Sequence, residues 1–597
     1  MFRVLFLAVG TAFLGASAVR AGAKDPLRFF PAAHTDVVIK IEKPRALVES
    51  VVKHELAAQF QAIPQVREVL DSPDVRKFFQ LIAYYERDLG AAWPDLLDKL
   101  AGGGIALGLK FAEADPPALL VIGGTALGLK SGEGDPPALL VIQGTDEATV
   151  SKFLELAAVV VEDEVVRQGG KNGIEKRKYH GVECWNLGKE AHVARIGDAI
   201  LLSTKREALK AGIDQHFAKK GSLADDAGPK AAAAILPPNP VASVWVNFKP
   251  FKQTQKAKDL FAIPRNDLVQ TIILAGIYDA ARRSDFVAAG LYHDAGNFQF
   301  TIRLPAGREN MGTDAELHLP RDLAVGGTLP PLEPKGVLFS HSFYFDFDTL
   351  YKKREAIMPM KVAKDFAEGE KQVSRFLLGT SLPKFLSESG VYHRIVAVQP
   401  ERVPEYKTEP GQRLPAAAFV TSMRDPAFAK SVTMLIKAGA FAFAGQASLT
   451  PWEGEIAGVP AFGYSFPEKG KFPDDPTNSR FNYQPTFAAV KDQYIFASNR
   501  GLCRDLIESI QKGERATAVS PNMQLQLNAK SLGDYANLAP DQALAAAILA
   551  QGLPVGQARK QTEALLGFAQ KLGTVRLSTD YSAKDFRFEL TWKTRDQ

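Results

Sequence analysis

"VARIGDAILLSTKREALKAGI", Val193 to Ile213, and "FAAVKDQYIFASNRGLCRDLI", Phe487 to Ile507, decide how this chain is read. Ungapped, they coincide at Ala194/Ala488, Asp198/Asp492, Arg206/Arg500 and Ile213/Ile507. Identity is low, but the pattern agrees throughout: an alternating strand, an acidic turn, an apolar strand, then a helix. Just upstream, "GVECW" (Gly181 to Trp185) stands where "GVPAF" (Gly458 to Phe462) stands later.

Further matches keep the same order. "ALLVIQGTDEA" (Ala138 to Ala148) corresponds to "AAFVTSMRDPA" (Ala417 to Ala427), "VWVNFK" (Val244 to Lys249) to "LQLNAK" (Leu525 to Lys530), and "NFQFTIRL" (Asn297 to Leu304) to "DFRFELTW" (Asp585 to Trp592). At the openings, Val37, Ile39 and Ile41 alternate as Phe343, Phe345 and Phe347 do. Matches in a conserved order over a long period mark an internal repeat. The expected organisation is a leader at 1–23, a first repeat at 24–316, a Pro-rich linker at 317–336 and a second repeat at 337–597. Period-2 strands such as "DVVIKIE" and "FQFTIRL" alternate with helices such as "TVSKFLELAAVVVEDEVV". Hairpin turns recur, notably "IGDA" at 196–199 and "HDAGN" at 293–297. Strands joined by short turns pair antiparallel, so the expected class is α+β: two tandem homologous halves, each with antiparallel sheets packed with helices.

A shorter repeat lies inside the first half. Gly103–Ile122 and Gly123–Ile142 agree at 16 of 20 positions. Each copy reads strand, acidic turn with tandem prolines, strand. Prolines lack the N–H that would continue a ladder, which places the turn at "EADPP". The second half offers one counterpart, "HRIVAVQ" followed by "PAAAFVT", so 103–142 reads as a locally duplicated hairpin. Twenty is even, so the insertion keeps every side chain on its own sheet face.

The first 23 residues hold Arg3, an uncharged run from Val4 to Val19 and the small-residue stretch Ala21-Gly22-Ala23. That is the layout of a cleaved secretory signal, and the expected address is periplasmic or extracellular. The formal charge of +5 includes Arg3 and Arg20; without them it is +3 (5 minus 2), with no basic block elsewhere. This argues against a nucleic-acid partner. No later stretch has the length and apolarity of a membrane span, so no stable transmembrane anchor is expected. Cys184 and Cys503 are read as two buried free thiols, because disulfide scaffolds are small and cysteine-dense.

The search for chemistry nominates no catalytic, cofactor-binding or metal-ligating residue. "HELAA" (His54 to Ala58) lacks the second His of the helical zinc motif and reads as a surface helix segment. Ser50-Val-Val-Lys53 and Ser381-Leu-Pro-Lys384 match S-x-x-K, but the partner K-T-G is absent. "GTSLP" and "GYSFP" lack the closing Gly of a nucleophile elbow, and "AGGGIALGLK" (101–110) lacks the Lys-Ser/Thr end of a phosphate loop. "FYFDFD" (Phe343 to Asp348) reads as one strand, with Asp346 and Asp348 on a solvated face aligned with Lys40 and Glu42. The strongest candidates for a role are Asp198/Asp492 and Arg206/Arg500, read as structural pairs that hold strand to helix. Trp185 and Phe462 read as core aromatics.

The opening "FPAAHTDVVIKIEKPRALVES" and the stretch "WPDLLDKLAGGGIALGLK" resemble exported bacterial proteins of unknown function, over roughly the first 220 residues. The resemblance implies export and no activity. The function expected is therefore a non-enzymatic binding or scaffold protein of the bacterial envelope, with an envelope protein, polymer or apolar ligand as partner. The alternatives are a hydrolase of envelope polymers and a carrier of apolar ligands. Convergent His, Asp or Ser side chains in a cleft would favour the enzyme, and a dry apolar cavity the carrier.

Overall fold

A computed structural model describes residues 24–110, 137–167, 174–187, 191–218, 220–264, 268–294, 296–376, 380–447, 449–469, 475–513, 521–538 and 540–594. The expected signal segment 1–23 lies outside these residues, as does most of the short repeat, residues 111–136. The chain divides into two compact units: Met1–Asp259 with Ser284–Pro305, and Leu260–Arg283 with Ala306–Gln597.

The first unit carries ten strands: β1 Val37–Ile41, β2 Gly104–Leu109, β3 Ala138–Gln143, β4 Glu175–Tyr179, β5 Val182–Leu187, β6 Ala191–Ile196, β7 Ala199–Ser203, β8 Ala242–Asn247, β9 Phe286–Asp294 and β10 Asn297–Leu304. All neighbours are antiparallel, in the order β4-β5-β6-β7-β3-β2-β1-β8-β9-β10. The second unit carries β11 Val337–Tyr344, β12 Ser389–Val398, β13 Ala416–Met423, β14 Thr450–Ile456, β15 Val459–Ser465, β16 Thr486–Val490, β17 Gln493–Ala497, β18 Met523–Asn528, β19 Thr574–Tyr581 and β20 Phe586–Lys593. Their order is β14-β15-β16-β17-β13-β12-β11-β18-β19-β20, again antiparallel. Strand for strand, the two sheets have one topology, and the class is α+β in two tandem halves.

Register makes the correspondence residue-specific. Leu140 faces Leu202 and Phe419 faces Phe496; Trp185 faces Val193 and Phe462 faces Phe487; Ala289 faces Ile302 and Leu577 faces Leu590. The first two sets join positions already matched in the sequence; the third adds Ala289 and Leu577 beside the matched Ile302 and Leu590. The openings are the exception. Val37 lies opposite Val246 and Phe339 opposite Leu527, so Val37 corresponds to Phe339 rather than Phe343. An alternating pattern slides by any even number of residues without losing its match, so alternation alone does not distinguish Phe339 from Phe343, four residues on. The same shift corrects "FYFDFD". β11 ends at Tyr344, Asp346 caps the helix Phe347–Ile357 by accepting from the Thr349 amide at 3.0 Å, and Asp348 lies in that helix's first turn.

Helices cover both faces of each sheet, as a sheet apolar on both sides requires. In the first unit, Leu139, Val141, Ala194 and Leu201 face Phe29, Phe30 and the helix Arg206–Ala218 through Leu209 and Ile213. The alternate residues Leu140, Ile142, Ile200 and Leu202 face the helices Trp93–Ala101 and Glu147–Arg167. In the second unit, Val420 and Ile495 pack on the helix Arg500–Lys512 through Leu506 and Ile507. That helix is started by Asn499, whose side chain accepts from the Leu502 amide at 2.8 Å.

β2 of the first short-repeat copy pairs directly with β3 of the second, from Gly104↔Gln143 to Leu109↔Ala138. The glycines at the start of β2 are required locally: a Cβ on Gly103 would stand 2.3 Å from the Gln143 side chain, and Gly104, the first residue of the strand, has φ +102°. The stretch 317–336, expected as a linker, is built into the second unit. Leu317, Leu319, Thr328 and Leu332 are buried, the Ser342 hydroxyl donates to the Leu329 carbonyl at 2.5 Å, and Arg394 donates to the Pro330 carbonyl at 3.2 Å.

Candidate functional site

Between one face of the first unit's sheet and three helices lies a cavity of about 150 Å³. Its floor is Ile142 of β3, Trp185 and Leu187 of β5, Val193 of β6, and Ile200 and Leu202 of β7. Its walls come from Phe78, Leu81, Ile82 and Tyr85 of the helix Pro73–Leu89, from Trp93 and Leu100 of Trp93–Ala101, and from Phe153, Leu154, Ala157, Ala158, Val160 and Val161 on Glu147–Arg167. The wall helices are placed by local signals. Ser72 accepts from the Val75 amide at 3.4 Å and Pro73 follows at the first helical position, while Gly90 ends the helix at φ +68°. Tyr85 and Phe153 lean together with ring centroids 4.9 Å apart, joining two of the walls.

Among the described residues, the lining carries no charged side chain and Tyr85 is its one ionisable residue. Burial pushes the Tyr85 hydroxyl up to about 12, so it stays neutral at any physiological pH. Such a surface offers shape and dispersion to a ligand but nothing to pair with a charge. Trp185, read as a core aromatic, is half-buried and part of this floor.

The other candidates fall elsewhere. Asp198 and Asp492 both sit in hairpin turns, and each works through its backbone: the Asp198 carbonyl accepts from the Gly144 amide at 2.8 Å and the Asp492 carbonyl from the Met423 amide at 2.7 Å. Gly144 and Met423 are themselves matched positions. Arg500 lies over the Trp452 ring at 4.9 Å and reaches Glu405 at 4.0 Å. The anticipated Asp–Arg bridge is thus replaced by a backbone contact shared by both halves. Asp346 and Asp348 are gathered by Arg424, at 2.9 and 3.5 Å, and Lys352 adds a contact to Asp348 at 2.7 Å. They serve as a cap and its counter-charges rather than a solvated strand face.

His54 precedes the helix Ala57–Ala62 instead of lying within it, and its Nδ1 accepts from the Leu56 amide at 3.2 Å. Both S-x-x-K serines have local partners: Ser50 donates to the Leu47 carbonyl, and Ser381 accepts from the Lys384 amide as an N-cap. Ser465 of "GYSFP" accepts from Gln484 at 3.0 Å. Cys184 and Cys503 are free and buried, and burial drives the Cys503 thiol up to about 12. Among the described residues, no group of three or more His, Cys, Asp and Glu could hold a metal ion, and no helix is long and apolar enough to cross a membrane.

Sequence reading missed the cavity because its walls come from 73–101 and 147–161, far apart along the chain. The available signal was the run of aromatics at Phe78, Phe79, Tyr84 and Tyr85 on a helix whose polar residues are otherwise plentiful.

No protein-family model and no curated protein matches this chain. Two solved structures are similar to part of it: crystal form I of TP0453, 10% identical over 49% of this chain and 83% of that one, and crystal form III, 9% identical over 50% and 85%. Each has a TM-score of 0.23, too low to bear on fold or function.

Proposed function

We propose that this protein binds and carries an apolar small molecule in the cavity of its first unit, as an exported component of the bacterial envelope. The observation that carries the reading is the uncharged, largely aromatic and aliphatic lining of that cavity. Protein interiors are normally close-packed, and unfilled space is costly. A sequence free to fill the space and retaining it instead is consistent with selection for an occupant. The export assignment rests on the layout of residues 1–23 and is tested by N-terminal sequencing of mature protein; an intact Met1 would overturn it.

Ala157 lies on the cavity wall at a helical position where a larger side chain keeps good helix geometry. Wild-type protein should enhance the fluorescence of 1-aminoanthracene saturably, and Ala157→Phe should weaken that binding at least tenfold with the thermal transition preserved. Absence of saturable binding by the wild type, or equal binding by a folded Ala157→Phe variant, would overturn the proposal.

A further inference from the structure

The two sheets share a register, so each residue of the cavity floor has a partner position in the second unit. Val193 corresponds to Phe487, Ile200 to Tyr494 and Leu202 to Phe496, through the pairs Trp185↔Val193 against Phe462↔Phe487 and Ile142↔Ile200 against Thr421↔Tyr494. Where the first unit has three aliphatic side chains beneath a cavity, the second has three rings in contact. Phe487 and Phe496 lie 6.0 Å apart between centroids, Tyr494 and Phe496 5.0 Å, and Phe462 and Phe487 5.2 Å. These rings pack with Phe428 and Val432 of the helix Ala427–Ala447, which has the same 21-residue length as the cavity-wall helix Glu147–Arg167.

We infer that Val193, Ile200 and Leu202 are the specificity-determining residues of the site, and that its ligand seats one uncharged hydrocarbon group of about six carbons, while the second unit is the same site closed by its own rings. This rests on the carrier reading and narrows it. The size follows from volume: the pocket holds about 150 Å³, the volume of an apolar cavity that takes up benzene. A larger apolar molecule can seat only such a portion. The exclusion of charge follows from the lining, where a buried cation or carboxylate would be left unpaired. Each of the three aliphatic-to-ring replacements adds side-chain volume at the floor, at the positions that lie beneath the cavity in the first unit.

The test is ¹⁹F NMR titration of the full chain with fluorobenzene, alongside the 1-aminoanthracene assay. Wild type should bind one equivalent of fluorobenzene, and protonated 4-fluorobenzamidine at least tenfold more weakly. Val193→Phe/Leu202→Phe, which installs the second unit's residues, should reduce fluorobenzene binding at least tenfold. The reciprocal Phe487→Val/Phe496→Leu should raise the stoichiometry from one to two, and it decides the matter if the first variant does not fold. Wild type that binds 1-aminoanthracene but not fluorobenzene would overturn the size class and leave the carrier reading standing. Binding of neither removes both. A folded Val193→Phe/Leu202→Phe variant with wild-type affinity, or a folded reciprocal variant without a second site, would overturn the assignment of these residues.

Discussion

Ala457 is held at φ 50°, a left-handed conformation that costs an ordinary L-residue roughly 1–2 kcal/mol. With Gly458 at φ 75° it forms the two-residue turn between β14 and β15, where Ile456 pairs with Val459. The first unit makes the same turn with His180 and Gly181, at φ 49° and 78°. Both central residues of such a hairpin turn need positive φ, and asparagine suits the first of them best. Ala457→Asn should therefore raise stability by about 0.5–1 kcal/mol, read as a higher urea midpoint at unchanged slope. An unchanged or lower midpoint would show that the turn is not strained. The glycine of each turn stood out in the sequence. The strained partner did not, because His and Ala share no turn signature.

Two histidines, buried His393 and half-buried His341, act at the same scale. His393 donates from Nε2 to the Phe345 carbonyl at 2.9 Å and accepts at Nδ1 from the Thr421 hydroxyl at 3.0 Å, an arrangement that suits the neutral ring. His341 is stacked on Phe343 at 4.8 Å. Burial pushes both down to about 4. The folded value lies below the unfolded one near 6.5, so the unfolded chain binds more protons between these limits. Stability is whole above about pH 6.5 and falls progressively toward pH 4, by up to about 3 kcal/mol per histidine. The corresponding positions of the first unit are Ile39 and Ile105. His341→Ile should accordingly flatten the loss of stability between pH 6.5 and 4 while leaving stability at pH 7.5 nearly unchanged. An acid profile identical to wild type would contradict this.

At the scale of elements, strands and turns were legible because period-2 alternation and turn residues are local properties. The hairpins at 196–199 and 293–297 stand where their sequences place them. What sequence could not fix was phase. "FSHSFYFDFD" alternates past the true end of β11, and only the Asp346 cap and the pairing with β18 stop the strand at Tyr344. The short repeat belongs here too. Every β2–β3 pair uses residues 104–109 and 138–143. Deleting Phe111–Lys130 removes one repeat length and none of those residues, and leaves "ALGLKSGEGDPPALLVI" as a single hairpin. The variant should unfold cooperatively, with a thermal midpoint within a few degrees of wild type, since its strands keep their faces. Loss of the cooperative transition would mean that the deleted residues are part of the core.

For the whole molecule, the tandem organisation was legible in the sequence, but the different packing over the two sheets was not. Matching positions were visible as pattern; the replacement of Val193, Ile200 and Leu202 by Phe487, Tyr494 and Phe496 was visible only as more apolar residues. Whether such residues fill a space or surround it depends on helices distant in sequence, and on packing that no local signal reports. If the first unit keeps an apolar cavity where the second packs rings, the two sheets will differ in what they admit. A crystal of the mature protein pressurised with xenon distinguishes them, because xenon enters apolar cavities and is located by its own anomalous scattering. A xenon site is expected over Val193, Ile200 and Leu202, within reach of Phe153 and Trp185, and none over Phe487, Tyr494 and Phe496. Xenon over both sheets, or over the second alone, would contradict it.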